Sequence, residues 1–142
     1  MNENKFKKII VIGLIITFIS CSEDLVGPAP SGAYLYKGYD SLGTKVVEGW
    51  LTMDFEDSTN ITGQWFFKKI GNQNIGPQDG GGKLVGGQNE DITWISLNPD
   101  VRDNNIHLRG TIKNNRYSGK WIWGTVSGIT NHGTFEANNS DD

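Results

Sequence analysis

At 142 residues the chain has room for one domain and is short for two of ordinary size. Three of its thirteen basic residues and one of its sixteen acidic residues precede Cys21; the remainder carries ten against fifteen, a net charge of −5, which excludes the basic stripe that nucleic-acid binding needs. Nineteen glycines and no helical periodicity after residue 25 point to an all-β domain, and the single cysteine leaves no intrachain disulfide, so stability is expected from core packing, with tryptophans and phenylalanines as its main source.

Lys5, Lys7 and Lys8 precede an apolar run, Ile9 to Ile19, interrupted only by Gly13 and Thr17. The run is short for a membrane span and has the length of an export-signal core. Phe18-Ile19-Ser20-Cys21 follows at once. This tetrad resembles the bacterial lipobox, with Phe18 in place of the usual leucine. The resemblance implies that residues 1–20 are a cleaved signal peptide and that Cys21 carries a diacylglycerol thioether and a further acyl chain. At about 0.8 kcal/mol per buried CH₂, such an anchor is effectively permanent. Ser22-Glu23-Asp24 resembles the surface-export signal of some Gram-negative lipoproteins. It implies an outer-membrane lipoprotein exposed at the cell surface, with the periplasmic face as the alternative. Residues 21–32, with Pro28 and Pro30, read as the lipidated cysteine and a flexible tether.

Residues 33–137 read as the folded domain and 138–142 as a disordered tail. Eight strand-like runs are expected, at 33–39, 45–56, 60–69, 82–87, 91–98, 105–113, 116–124 and 130–137, each closed by turn residues. Most connections are short enough for hairpins, which predicts an eight-stranded antiparallel up-and-down meander closing into a barrel, with a two-sheet sandwich as the alternative. Alternation assigns faces. Ile106, Leu108, Gly110 and Ile112 point inward, and His107, Arg109, Thr111 and Lys113 outward. Also inward are Val47, Gly49, Leu51, Met53 and Phe55; Ile61, Gly63, Trp65 and Phe67; Tyr117, Gly119, Trp121 and Trp123; and Gly133, Phe135 and Ala137. The first and fifth runs are ambiguous. Strand number and meander resemble the calycin group of lipocalin-like and avidin-like barrels. No lipocalin opening motif or biotin-site pattern accompanies them, so the resemblance implies architecture alone.

An Asn114-Asn115 turn pairs Lys113 with Arg116, Gly110 with Gly119 and Leu108 with Trp121. If Trp123 then pairs with Gly133, Trp121 faces Phe135 and Gly119 faces Ala137. Gly110, Gly119 and Ala137 side by side leave a hollow. It receives an aromatic from across the barrel, Trp65 being the candidate, or it holds a small apolar ligand among Trp65, Leu108, Gly110, Gly119, Trp121 and Phe135. On the outer wall the same register sets Arg109 opposite Lys120, a like-charge pair that Glu136 beyond Lys120 would offset; the sharper reading is a small anion-binding patch.

Gly71 to Gly81, with Pro77, lacks the Gly-Lys-Ser/Thr of a phosphate loop and reads as a flexible loop, with a lid or binding edge as the alternative. Asp100, Asp103, Asn104 and Asn105 are oxygen-rich without calcium-loop spacing, and turn formation accounts for them. His107 and His132 are expected in polar, outward positions, as are Asp54 and Glu56. No Ser-His-Asp or HExxH arrangement appears, so no catalytic residue, metal or cofactor is assigned and the protein is read as no enzyme. Trp50 and Phe66 are expected to point out of the barrel. Asp57-Ser58-Thr59 and Asp40-Ser41-Leu42 resemble a short bacterial O-glycosylation motif. Two functions follow: a membrane-anchored module carrying a small apolar ligand, or a structural or protein-interaction surface lipoprotein with a filled core.

Overall fold

The computed structural model describes residues 29–30, 32–57 and 59–141. The signal expected at 1–20, Cys21 and most of the tether lie outside them. Nine strands follow in chain order among the described residues: β1 (Tyr34–Asp40), β2 (Lys45–Leu51), β3 (Asp54–Phe55), β4 (Ile61–Lys69), β5 (Gly80–Asn89), β6 (Ile92–Ser96), β7 (Asn104–Lys113), β8 (Arg116–Thr125) and β9 (Gly128–Asn139). Consecutive strands pair antiparallel except β2 and β3, β1 pairs with β9, and β2 pairs with β4. Eight strands thereby form a closed barrel, with β3 as a short extension on β4.

The expected run 45–56 splits at Thr52 without losing register. The Thr52 N–H donates to the Gln64 carbonyl at 2.8 Å, while the Gln64 N–H donates to the Thr52 hydroxyl at 3.0 Å. The hydroxyl takes the bond that the Thr52 carbonyl would accept in a regular ladder. That carbonyl turns over Gly63, where a Cβ would lie 2.1 Å from it, so the strand bends there only because residue 63 has no side chain. Phe55, expected inside, is 49 % exposed. The β1 ladder ends at Tyr34–Leu51, so no strand lies on the other side of β3 to cover the ring.

The β7–β8 hairpin has the expected register: Lys113 opposite Arg116, Gly110 opposite Gly119 and Leu108 opposite Trp121. Asn114 and Asn115 turn it at φ 49° and 56°, the left-handed conformation asparagine tolerates best among residues with a Cβ. The β8–β9 register differs from expectation by two residues. Trp121 faces Gly133, Gly119 faces Phe135 and Tyr117 faces Ala137. The cause is a tight turn closing at Thr125–Gly128, tighter than the loop expected over 126–129, and a bulge at Trp123/Gly124 that leaves Thr130 without a partner position. The Thr130 hydroxyl donates to the Trp123 carbonyl, 3.2 Å away.

This register removes the predicted hollow. A wall row runs Thr93, Gly110, Gly119, Phe135, Gly38 and Val47, so a phenyl ring stands where alanine was expected. Phe135 meets Tyr117 edge-on at 4.7 Å and stacks on Tyr36 at 5.7 Å; Tyr36 stacks on Phe67 at 4.1 Å, and Phe67 meets Trp65 at 5.1 Å. Five rings therefore cross the interior in contact. Trp65 is the last of that chain, not the plug beside Gly110 and Gly119. The two ambiguous strands resolve as Tyr36 and Gly38 inward on β1, and Thr93 and Ile95 inward on β6. The tail expected from residue 138 is paired: β9 runs to Asn139, and the Ser140 N–H donates to the Ala33 carbonyl at 2.7 Å.

Candidate functional site

The expected interior residues do point inward. Leu108 and Trp121 are fully buried, Trp65 and Phe135 are 3 % exposed, and Gly110 and Gly119 face each other across β7–β8. A Cβ on Gly110 would lie 2.0 Å from the Ser118 carbonyl oxygen, and one on Gly119 would lie 2.1 Å from that of Arg109. The glycines serve close backbone approach at a sharp bend in the wall, which is what small barrels require. The Trp121 indole N–H donates to the Tyr39 carbonyl at 2.8 Å and lies over Gly133.

The loop between β4 and β5 closes one mouth of the barrel. Ile75 and Gln78 are buried, and the Tyr36 hydroxyl donates to Gln78 Oε1 at 3.0 Å. Gly76, at φ 70°, sits so close to the Trp123 ring that a Cβ would be 2.4 Å from it. Asn131 Nδ2 donates to the Asn74 carbonyl. The segment expected as a flexible loop or lid is a packed plug. Burial raises the Tyr36 hydroxyl well above its ordinary pKa, with Tyr117 adding to the effect, and burial also raises Tyr117, whose hydroxyl donates to the Thr93 carbonyl at 3.2 Å. Both phenols stay neutral in the physiological range and act as hydrogen-bond donors.

The oxygen-rich 100–105 segment is used structurally. Asn104 Oδ1 accepts from the Trp123 indole at 2.6 Å, and Asn105 Nδ2 donates to Ser96 Oγ at 2.7 Å and to the Asn98 carbonyl at 3.0 Å. Among the described residues no group of three or more His, Cys, Asp or Glu side chains is placed to hold a metal ion. His107, His132, Asp54 and Glu56 are exposed, as their strand positions predict. Of the glycosylation-like triads, Ser58 lies outside the described residues, and the Thr59 hydroxyl donates to Asp57 Oδ1 at 2.8 Å. Asp57 also accepts from the N–H groups of Thr59 and Asn60 and from Asn60 Nδ2. These bonds hold its carboxyl at a pKa of about 2, below the ordinary value. The folded pKa is the lower one, so the turn gains from ionisation above the unfolded value and loses it as pH falls through 2. The turn is expected to be intact at about pH 3.5, where a free aspartate is largely protonated. A carbon-detected NMR titration of the Asp57 carboxyl reads this directly, and a midpoint near the ordinary value would contradict it.

The outer wall carries two aromatic features. Trp50 and Phe66 point outward as expected, opposite each other on β2 and β4 with ring centroids 6.2 Å apart, and both are half-buried. Trp94, which the sequence left unassigned, is 47 % exposed on β6. Its indole lies over Gly87 on β5, where a Cβ would be 3.0 Å from both Nε1 and Cζ2. A recess of about 400 Å³ beside it is lined by Asn89, Glu90, Ile92, Trp94 and Arg109. Arg109 stands opposite Trp94 on one side and Lys120 on the other. Glu136, expected to offset this pair, faces Ser118 instead, where it accepts from Arg116 at 2.7 Å and Tyr39 at 2.8 Å. Its bond with Tyr39 raises the Tyr39 pKa. The sequence signal that could have found the Trp94 platform is the Gly86-Gly87 pair within a strand, which marks a wall needing cover. Compared with protein-family models, curated proteins and solved structures, the chain matches none.

Proposed function

We propose that the chain is a non-enzymatic surface lipoprotein whose barrel is solid and which meets its partners through the outer wall. The observation that carries this reading is the filled interior. Five aromatic rings in contact, with backbone pressed against Gly110 and Gly119, occupy the place where a carried apolar molecule would sit. A carrier needs a cavity lined by apolar side chains with room for its cargo. The lipobox resemblance around Cys21 supports an anchor at the outer membrane, with the barrel displayed on the cell surface.

The test has two parts, both on the chain as its source cell processes it. Native mass spectrometry from detergent micelles is expected to give the acylated polypeptide with no further extractable mass. A discrete mass removed by organic solvent would restore the carrier reading. Separately, Cys21→Ser is expected to abolish acyl-chain labelling and release the protein from the membrane fraction. Retention there without acylation would overturn the lipoprotein reading.

A further inference from the structure

Like charges directly opposite on a sheet face destabilise it, and a neighbouring opposite charge usually offsets the cost. Arg109 and Lys120 have no carboxylate directly opposite on either flanking strand: Arg109 faces Trp94 and Lys120 faces Thr134. Neither side chain makes a hydrogen bond or ion pair among the described residues. Of the nearest carboxylates, Glu136 lies diagonal to Lys120 but is taken by Arg116 and Tyr39, and Glu90 lines the recess beside Arg109 without pairing with it. Two cations with no ion-pair partner among the described residues thus sit side by side on a domain whose net charge is −5. They adjoin the exposed Trp94, whose ring packs against the wall at Gly87.

We propose that Trp94, Arg109 and Lys120 form a binding site for an acidic sugar, a hexuronate unit of a glycan. The C–H face of a pyranose ring carries partial positive charge and complements the negative face of an indole. Strands in a sheet lie about 4.8 Å apart, so the two cations sit one and two strand spacings from the tryptophan, within reach of a carboxylate on a ring stacked there. The guanidinium fork suits bidentate carboxylate binding, and the ammonium adds a second donor. Glu90 and Asn89 line the same recess. A carboxylate and an amide exchange hydrogen bonds with the hydroxyls of a sugar ring. Ring stacking with charge capture holds one residue of a polymer, so affinity for a single unit is modest and repeated units raise it. The site stands on the outer wall alone and would survive loss of either the anchor or the solid-core reading.

The experiment is calorimetric titration of the full chain in detergent micelles. The probes are hexasaccharides of hyaluronan and of polygalacturonate, neutral chitohexaose, and a six-nucleotide thymidylate strand. At least one hexuronate probe is expected to bind, at least about tenfold more tightly than chitohexaose and the nucleotide strand. Trp94→Ala is expected to weaken that binding about tenfold or more, and Arg109→Gln and Lys120→Gln several-fold each, with the salt dependence falling in step. The three side chains are on the outer wall, and near-ultraviolet circular dichroism checks that each variant is folded. The proposal is overturned if neither hexuronate binds, if Trp94→Ala leaves binding unchanged, or if chitohexaose or the thymidylate strand binds as tightly.

Discussion

Alanine at position 133 is expected to destabilise the barrel by about 3 kcal/mol or more, the upper end of what overpacking costs. A Cβ there would lie 1.9 Å from the Tyr39 carbonyl oxygen and 2.7 Å from the Trp121 indole nitrogen. Those two atoms are bonded to each other at 2.8 Å across the glycine. A methyl group therefore forces β1 away from β9 and breaks the one polar contact of a fully buried tryptophan, leaving its N–H without an acceptor. A flexible side chain would yield; a main-chain carbonyl in a closed ladder has nowhere to go. Urea denaturation with an unchanged slope reads the loss. Gly124→Ala is the matched comparison. It lies on the same hairpin, its nearest atoms are 3.8 Å away on His107, and its replacement is expected to change stability by less than about 0.5 kcal/mol.

The second large effect concerns Phe135. Its ring fills the interior between Tyr36 and Tyr117 and faces Gly119 on one side and Gly38 on the other. Neither glycine has a side chain to collapse into the space, so Phe135→Ala is expected to leave most of the ring's volume empty and to cost about 3–5 kcal/mol. The resulting hole is lined by aromatic rings and backbone. Engineered apolar cavities of this kind stay dry and take up benzene. Benzene is expected to raise the melting temperature of Phe135→Ala by mass action while leaving the native chain unmoved. If benzene stabilises the native chain equally, the interior is already open and the solid-core reading falls. One substitution thereby separates the two ways an eight-stranded barrel is used.

The strands were legible because their alternation is set by burial on one face only. Ile106, Leu108 and Gly110 against His107, Arg109 and Thr111 leaves a single workable orientation, and the Asn114-Asn115 turn sets the hairpin's register. The β8–β9 register was not legible, since Thr130 looks like any strand residue and a bulge there shifts pairing without changing which side chains face inward. The plug was hidden for a different reason. Ile75 and Gln78 sit in an aperiodic glycine-rich segment, and their burial comes from the barrel mouth beneath them, not from local pattern. In β6 both faces carry large apolar residues, so polarity alone misleads: Thr93 goes inside beneath the Tyr117 hydroxyl, while Trp94 goes outside to cover Gly87. The outer-wall candidate needed that inversion, and it needed the corrected register that moves Glu136 from opposite Lys120 to opposite Ser118.

The pairing of β1 on both sides has a mechanical consequence. β1 is held by β2 along one edge and by β9 along the other, and the chain enters it at Tyr34. A pull from the proposed anchor, where it is directed along the strand axis, would load both ladders. The rungs of both ladders then share the force in shear, whereas an edge strand peeled sideways would surrender them one at a time. Survival under load depends on the unfolding rate, not on the resting free energy. A barrel anchored as proposed would thus be held at a strand that two ladders keep in place, not at a free edge.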